Sequence, residues 1–521
     1  MTPATGCFHA PEDFQPSRWS RADSVALWLV LAWVAVCFAQ VVGFGFVNWD
    51  DYDLVLHNPL VVNPRSVPFL HHLTTPEVGY PTAVTVLTYR LEYALVGFDH
   101  PWVQHLGTLL LHLGNVALLF SIARRVGFGT MAAALVACVF GLHPAVAEPV
   151  SWLTGRKDVL ALFFALATLR FALPTRSHRA RLRSAAKWIT FVLALFSKPV
   201  AIALVPMLVV MAIWQQEPSL PLARRMAKAI AHNGFAVVTA LVFVPLAYLS
   251  HRAYGGLRVG EEVASSIRSA WYGLGAHLAI IVGIEPPCVQ HLVSMPPPFT
   301  PKFDLLPLVA IGIACGIWRL TRGRERIIAV GAMLWAIFAY LPSSGLVPMK
   351  RFVADSYVYP VLPGLALALG AAFAAVLARY PEKLRLVHRA LAPAMAVALG
   401  LMVIPSSARF RSTRALWADA MERRPAYPPF CRNWAVAMLE AGGPAKSLAA
   451  TDLCIARFGA ALFEKNRAIA LFDLGQRDEA AEWMRRALDR DPGDINVPPE
   501  LLRLAKLIAP APPTEAGGRT P

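Results

Sequence analysis

The chain has 521 residues, of which 56% are hydrophobic and only 16% charged, and its mean hydropathy is +0.49. Soluble domains carry about 25% charged residues, so this composition excludes an ordinary soluble enzyme, and its hydrophobicity excludes a disordered chain. Forty-nine Lys+Arg against 33 Asp+Glu leave a net charge of +16, which in a membrane protein belongs to cytoplasmic loops rather than to nucleic-acid binding.

The first apolar block, Ser24 to Val47, is free of charge and long enough for one span. It is too long for a signal-peptide core and ends without a small-residue cleavage site, so residues 1–23 read as a cytoplasmic tail. A polar first outer loop, 48–101, follows. Its middle, Pro81 to Phe98, is apolar but holds Arg90 and Glu92, which predicts an interfacial amphipathic helix.

Further charge-free blocks alternate with five basic clusters around Arg124, Arg181, Arg224, Arg322 and Arg385. If all five face the cytoplasm, the blocks between them come in pairs. Ser269–Ile284 is then a re-entrant or surface helix, and 24–408 forms an all-α polytopic bundle of about 11 spans. The N-terminus is placed inside, and the spans near 159–173 and 185–197 are short for a bilayer.

After Arg409 the composition becomes charged and mixed in sign. Ala468, Leu471, Leu474, Gly475, Asp478-Glu479-Ala480, Ala487 and Pro492 follow a tetratricopeptide pattern, with a weaker copy 33 residues earlier. Residues 409–507 are expected to be repeats on the outer side, and 508–521 a disordered tail. The seven cysteines are scattered without a CxxC; Cys431 and Cys454 form a candidate disulfide in an oxidising compartment.

Ionisable residues concentrate on the outer side. Asp50, Asp51 and Asp53 crowd one loop start, a pattern suited to a general base, or to a divalent metal at Asp51 and Asp53. His143, Glu148, Arg156, Lys157 and Asp158 form a second group. Two adjacent cations against the topology rule suit an anionic headgroup, since Arg forks phosphate and Lys adds a point charge. Lys198 sits alone at a hairpin tip, and Lys350-Arg351 precede Asp355 and Tyr357. With Arg90, these cations are candidates for one phosphate, and the carboxylates for activating an acceptor hydroxyl. His57, His71, His72, His105 and His112 read as satisfied interhelical donors.

Asn48-Trp49-Asp50-Asp51, Tyr89-Arg90-Leu91-Glu92, His143-Pro144 and Gly155-Arg156-Lys157-Asp158 resemble bacterial relatives of the transmembrane and tetratricopeptide-repeat O-mannosyltransferases, of the GT-C superfamily. Ser197-Lys198-Pro199 is similar to that group's Ser-Lys-Glu tip, with Pro for Glu, and Asp355–Pro360 to another of its segments, with Ser356 for Arg. The resemblance implies a polyprenyl-phosphate sugar donor, inverting transfer, and Asp50 or Asp51 as base, with Asp51 preferred. Arg156, Lys157 and Lys198 would then bind the donor phosphate. The expectation is a bacterial inner-membrane glycosyltransferase with a periplasmic site, whose repeats present a protein acceptor. A non-catalytic scaffold for envelope or pilus partners is the alternative, and a lipid-linked sugar flippase ranks last.

Overall fold

The computed structural model describes residues 19–63, 79–174, 179–257, 263–291, 293, 297–347, 349–380, 385–490 and 498–507. Most of residues 1–23, together with His71, His72, Pro492 and residues 508–521, lie outside the described residues. Within them the regular structure is helical, with one isolated bridge between Leu257 and Met349. The chain divides into two compact units, Met1–Arg411 and Ser412–Pro521.

Helix α1 (Arg21–Phe38) starts at a capping box: the Ser20 hydroxyl accepts from Asp23 N–H, and Asp23 accepts from Ser20 N–H. Asp23 is fully buried and pairs with Arg124 at 2.7 Å. That pair ties the start of α1 to the end of another helix, and removing one partner would strand a buried charge. After α1 come α2 (Ala83–Val96) and α3 (Pro101–Val126). α2 buries Thr85, Val86 and Tyr89 and exposes Leu91 and Leu95, the two-faced pattern expected of an interfacial helix. α3 ends at Gly127, whose φ of +98° suits glycine.

On α3, Gln104, Thr108, His112 and Asn115 recur at helical spacing and are all fully buried. His112 bonds the Tyr359 hydroxyl at 2.8 Å and the Gly141 carbonyl at 3.0 Å, an interhelical role.

Next are α4 (Thr130–Leu142), α5 (Ala147–Ser151), α6 (Arg156–Ala172), α7 (Ala180–Ser197) and α8 (Leu204–Trp214). The first unit continues with α9 (Leu222–His232), α10 (Gly234–Ala253), α11 (Val263–Ile281), α12 (Leu306–Leu320), α13 (Gly323–Tyr340), α14 (Leu362–Arg379) and α15 (Arg385–Ala408). Seven helices among the described residues are long and apolar enough to cross a membrane. The count is eight if α4 and the helix after it, bent by 51°, form one broken span. The expectation of about 11 had also counted α6, α7 and the Pro199–Trp214 segment; that last one is a shorter apolar helix. α11, which contains most of the demoted block, is not among the seven. The chain is therefore a multi-pass, all-α membrane protein.

The second unit is a run of antiparallel helices: α16 (Thr413–Arg423), α17 (Pro428–Gly442), α18 (Pro444–Phe458), α19 (Glu464–Asp473), α20 (Arg477–Arg490) and α21 (Pro499–Leu507). Small residues let them pack closely: Ala468, Leu471, Ala480 and Met484 form one core with Leu501 and Ala505. Cys431 of α17 and Cys454 of α18 are joined by a disulfide within a second core that includes Ala435 and Phe463.

Candidate functional site

The loop after α1 places two adjacent carboxylates differently. Asp51 is fully buried: one oxygen accepts from Val47 N–H at 3.0 Å, and the other from Thr154 N–H at 2.9 Å and the Thr154 hydroxyl at 2.6 Å. Burial pushes its carboxyl up to about 6, against the pull of those hydrogen bonds. Asp50 is only half-buried and close enough to act electrostatically on Lys157 and Arg351. Asp53 is exposed. Among the described residues, no three His, Cys, Asp or Glu side chains are arranged to hold a metal. Asp51 and Asp53, the metal candidates from sequence, differ in exposure, one fully buried and one exposed.

Thr154 belongs to the turn that opens α6. A Cβ on Gly155 would lie 2.6 Å from the Pro149 Cα and 2.7 Å from its carbonyl oxygen, so only glycine fits against that backbone. The next two residues open α6 and diverge as consecutive helical side chains do. Arg156 turns inward and is almost fully buried. It pairs with Glu92 at 2.8 Å, donates to Thr108, Thr88 and the Gln104 carbonyl, and lies over the Tyr89 ring at 4.4 Å. Its guanidinium thereby clamps α2, α3 and α6 together. Lys157 instead donates to the Thr154 carbonyl at 3.0 Å and lies 4.8 Å from the Trp152 ring centre.

Trp152 stacks on Trp49 at 4.3 Å, and Arg351 lies 4.8 Å from the Trp49 ring centre. The stacked indoles thus bring the Asp50 loop, Lys157 and Arg351 to one place. Arg351 also pairs with the fully buried Glu148 at 3.1 Å. Its carbonyl accepts from the Tyr357 hydroxyl at 2.8 Å, and the Tyr357 ring in turn lies 5.5 Å from the Lys198 ammonium. Lys198 is held by Asp158 at 2.6 Å. So Lys157, Lys198 and Arg351 converge with Asp50, while Glu148, Asp158 and Tyr357 position them.

Of the other expected residues, Asp355 acts electrostatically on Arg351 and Glu148. His143 is occupied by the Ile281 carbonyl and Ala145 N–H. Arg90 is half-buried on α2, and Lys350 is exposed. Asp355 is fully buried and accepts from His291 at 2.8 Å and Arg409 at 3.0 Å. His291 also faces Glu285 at 3.8 Å, which pairs with Lys302 at 2.8 Å. Burial opposes charge on His291, yet Asp355 and Glu285 outweigh it and raise its pKa; Asp355 is lowered, the bonds from His291 and Arg409 outweighing its own burial. His291, Glu285 and Arg409 were not singled out from sequence. None carries a local pattern that points to the others, and only the fold assembles them.

Asp158 also lines a small cavity with Leu162, Val200, Ala203, Trp335 and Pro360. Trp335 is shared with a larger cavity of about 120 Å³ walled by Ile122, Leu166, Met207, Trp214 and Leu367, among others. All the side chains lining the larger one are apolar. Asp158, the partner of Lys198, thus borders apolar space inside the bundle.

Comparison with known proteins finds both sequence relatives and structural neighbours. The sequence relatives are protein O-mannosyl-transferases. The human Protein O-mannosyl-transferase TMTC4 is 31% identical over 203 residues, covering 34% of this chain and 26% of that protein. Drosophila melanogaster Protein O-mannosyl-transferase Tmtc2 is 29% identical over 136 residues, covering 24% of this chain and 14% of that protein. The chain thus matches about a quarter or less of the length of these relatives. Apo ArnT from Cupriavidus metallidurans aligns over 88% of this chain and 80% of its own, at 21% identity and a TM-score of 0.41. No family model matches the chain.

Proposed function

We propose that the protein is a membrane glycosyltransferase that moves a sugar from a polyprenyl-phosphate donor to an acceptor hydroxyl, most simply on a protein. The observation that carries this reading is the convergence of Asp50, Lys157, Lys198 and Arg351 around the Trp49–Trp152 stack. A phosphate leaving group needs cations, an acceptor hydroxyl needs a base, and an isoprenoid tail needs an apolar path. The cations and the carboxylate lie together here, and Asp158, which holds Lys198, borders an apolar cavity.

In this mechanism Asp50, rather than the Asp51 preferred from sequence, is the base. Asp51 has both oxygens engaged in holding the loop, whereas Asp50 is half-buried among the cations. Asp50 takes the hydroxyl proton as the acceptor oxygen bonds the anomeric carbon. The bond from that carbon to the phosphate oxygen breaks, and the electron pair leaves with the phosphate. Lys157, Lys198 and Arg351 stabilise that charge, and the apolar cavity beyond Asp158 receives the lipid tail. Arg156 serves as the clamp that holds Lys157 in place.

The site lies opposite the basic clusters in the expected topology, on the periplasmic face of a bacterial inner membrane. The buried Cys431–Cys454 disulfide supports an oxidising compartment for the second unit, whose hairpins we read as tetratricopeptide-like and as the acceptor-presenting domain. The test is intact-protein mass spectrometry of envelope proteins from a knockout strain complemented with wild type or Asp50→Asn. A glycan-sized mass present with wild type and lost with the variant supports the reading. Equal spectra, with unchanged lipid extracts, favour a scaffold instead.

A further inference from the structure

Helix α9 connects two apolar helices, α8 and α10, and carries no acidic residue. It is fastened to α8 by polar contacts: Arg225 donates to the Ile213 carbonyl at 2.8 Å, and Gln216 to the Arg225 carbonyl at 2.9 Å. Asn233, just past α9, donates to the Leu208 carbonyl at 3.3 Å. Ala229 is fully buried against the protein.

Much of the rest of α9 is exposed. Leu222, Met226 and Ile230 are 61%, 44% and 44% exposed, far more than apolar side chains in water would favour. At about 100° per residue these three form one narrow stripe. Arg224 and Lys228 are exposed and fall on the opposite side of the helix, centred about 180° away. Neither has an acidic partner among the described residues. The apolar stripe is followed in sequence by Phe235, Val238 and Val242 of α10, which are 52%, 61% and 67% exposed on a helix able to cross the membrane.

We propose that α9 lies in the plane of the bilayer and binds anionic phospholipid in the leaflet on its side. Leu222, Met226 and Ile230 enter the acyl boundary, continuous with the lipid-facing surface of α10. Arg224 and Lys228 engage phosphates at headgroup level, as amphipathic interfacial helices do. The occupant is lipid rather than a protein because the stripe runs up to the point where a membrane-crossing helix begins. The charge selects an anionic headgroup, each cation near such a surface being worth roughly fivefold in affinity. α8 lines the large apolar cavity with Met207, Met211 and Trp214, so a lipid held by α9 would also steady one wall of that cavity.

The test is amide hydrogen exchange over 222–232 in the full-length protein, reconstituted in phosphatidylcholine or phosphatidylglycerol nanodiscs. Exchange is expected to be roughly tenfold slower in phosphatidylglycerol. The R224E/K228E variant should lose that difference, and R224K/K228R should keep it. Equal exchange of the wild type in both lipids, or a difference that survives R224E/K228E, overturns the proposal. The readout involves no sugar transfer, so it stands or falls independently of the proposed enzymatic activity.

Discussion

The Lys198 ammonium lies 2.6 Å from a carboxylate oxygen of Asp158, forty residues earlier in the chain. In the resembling family the residue after this lysine is Glu, and here it is Pro199. The carboxylate that orients Lys198 comes from the start of α6 instead. Both side chains are nearly buried, so the pair holds the cation in one direction rather than leaving it to wander in solvent.

Breaking that pair has a definite cost. Asp158→Asn is expected to weaken donor binding, seen as a higher donor KM, and to lower stability by about 3 kcal/mol because a buried cation loses its partner. Thermal unfolding in nanodiscs and a lipid-phosphate binding assay check both. An Asp158→Asn/Lys198→Met double variant should regain much of the stability but none of the binding.

Asp50 and Asp51 should separate cleanly. Asp50→Asn is expected to lower kcat by about 10²–10⁴ with little change in unfolding temperature. Asp51→Asn should destabilise the fold by about 1–3 kcal/mol, since an amide nitrogen would face the Val47 or Thr154 N–H donors. Activity and melting curves of the two variants, side by side, decide the assignment.

The raised Asp51 pKa of about 6 predicts a pH dependence of stability. Between the ordinary carboxylate value and about 6 the folded chain holds a proton that the unfolded chain has lost. This contribution is therefore full below the unfolded pKa and declines as pH rises through about 6. Melting temperatures measured from roughly pH 4 to pH 7 should show this decline in wild type, and Asp51→Asn should flatten it.

Trp49 joins the Asp50 loop to Trp152 and to one face of Arg351. Trp49→Ala should cost about 0.5–1.5 kcal/mol beyond the lost burial, and should reduce activity by freeing both Asp50 and Arg351. Trp49→Phe keeps a stacking surface and should recover most of the stability. A fluorescence-detected melt and a turnover assay distinguish the two.

The Cys431–Cys454 disulfide closes a loop of 23 residues in sequence separation. On the chain-entropy account its loss costs about 3 kcal/mol. Cys431→Ser should lower the unfolding temperature of the second unit. Thiol alkylation and mass spectrometry of the wild type purified without reductant should find these two cysteines blocked.

Much of this architecture was legible from the residues. Charge-free blocks of membrane length, separated by basic clusters, dictate helices that satisfy their own backbone in lipid. The density of ionisable residues around Asp50, Glu148 and Gly155–Asp158 marked the site, because charge beside a membrane segment is costly unless paired or used. On α3, His112 was read as an interhelical donor, whereas the polar ladder it forms with Gln104, Thr108 and Asn115 emerged only with the fold.

What the tertiary structure alone decided is the division of labour. Arg156 and Lys157 are neighbours in sequence, yet consecutive helical side chains diverge by about 100°, so one enters the α2–α3 interface and the other the indole stack. Asp50 and Asp51 part for the same kind of reason, one buried against Thr154 and one turned to the cations. His291 meets Asp355 across 64 residues, and Arg409 meets it across 54. Such partners share no local pattern. They are chosen by which buried charge lacks a counter-charge once the helices have packed, and in a low-dielectric interior that choice is worth several kcal/mol.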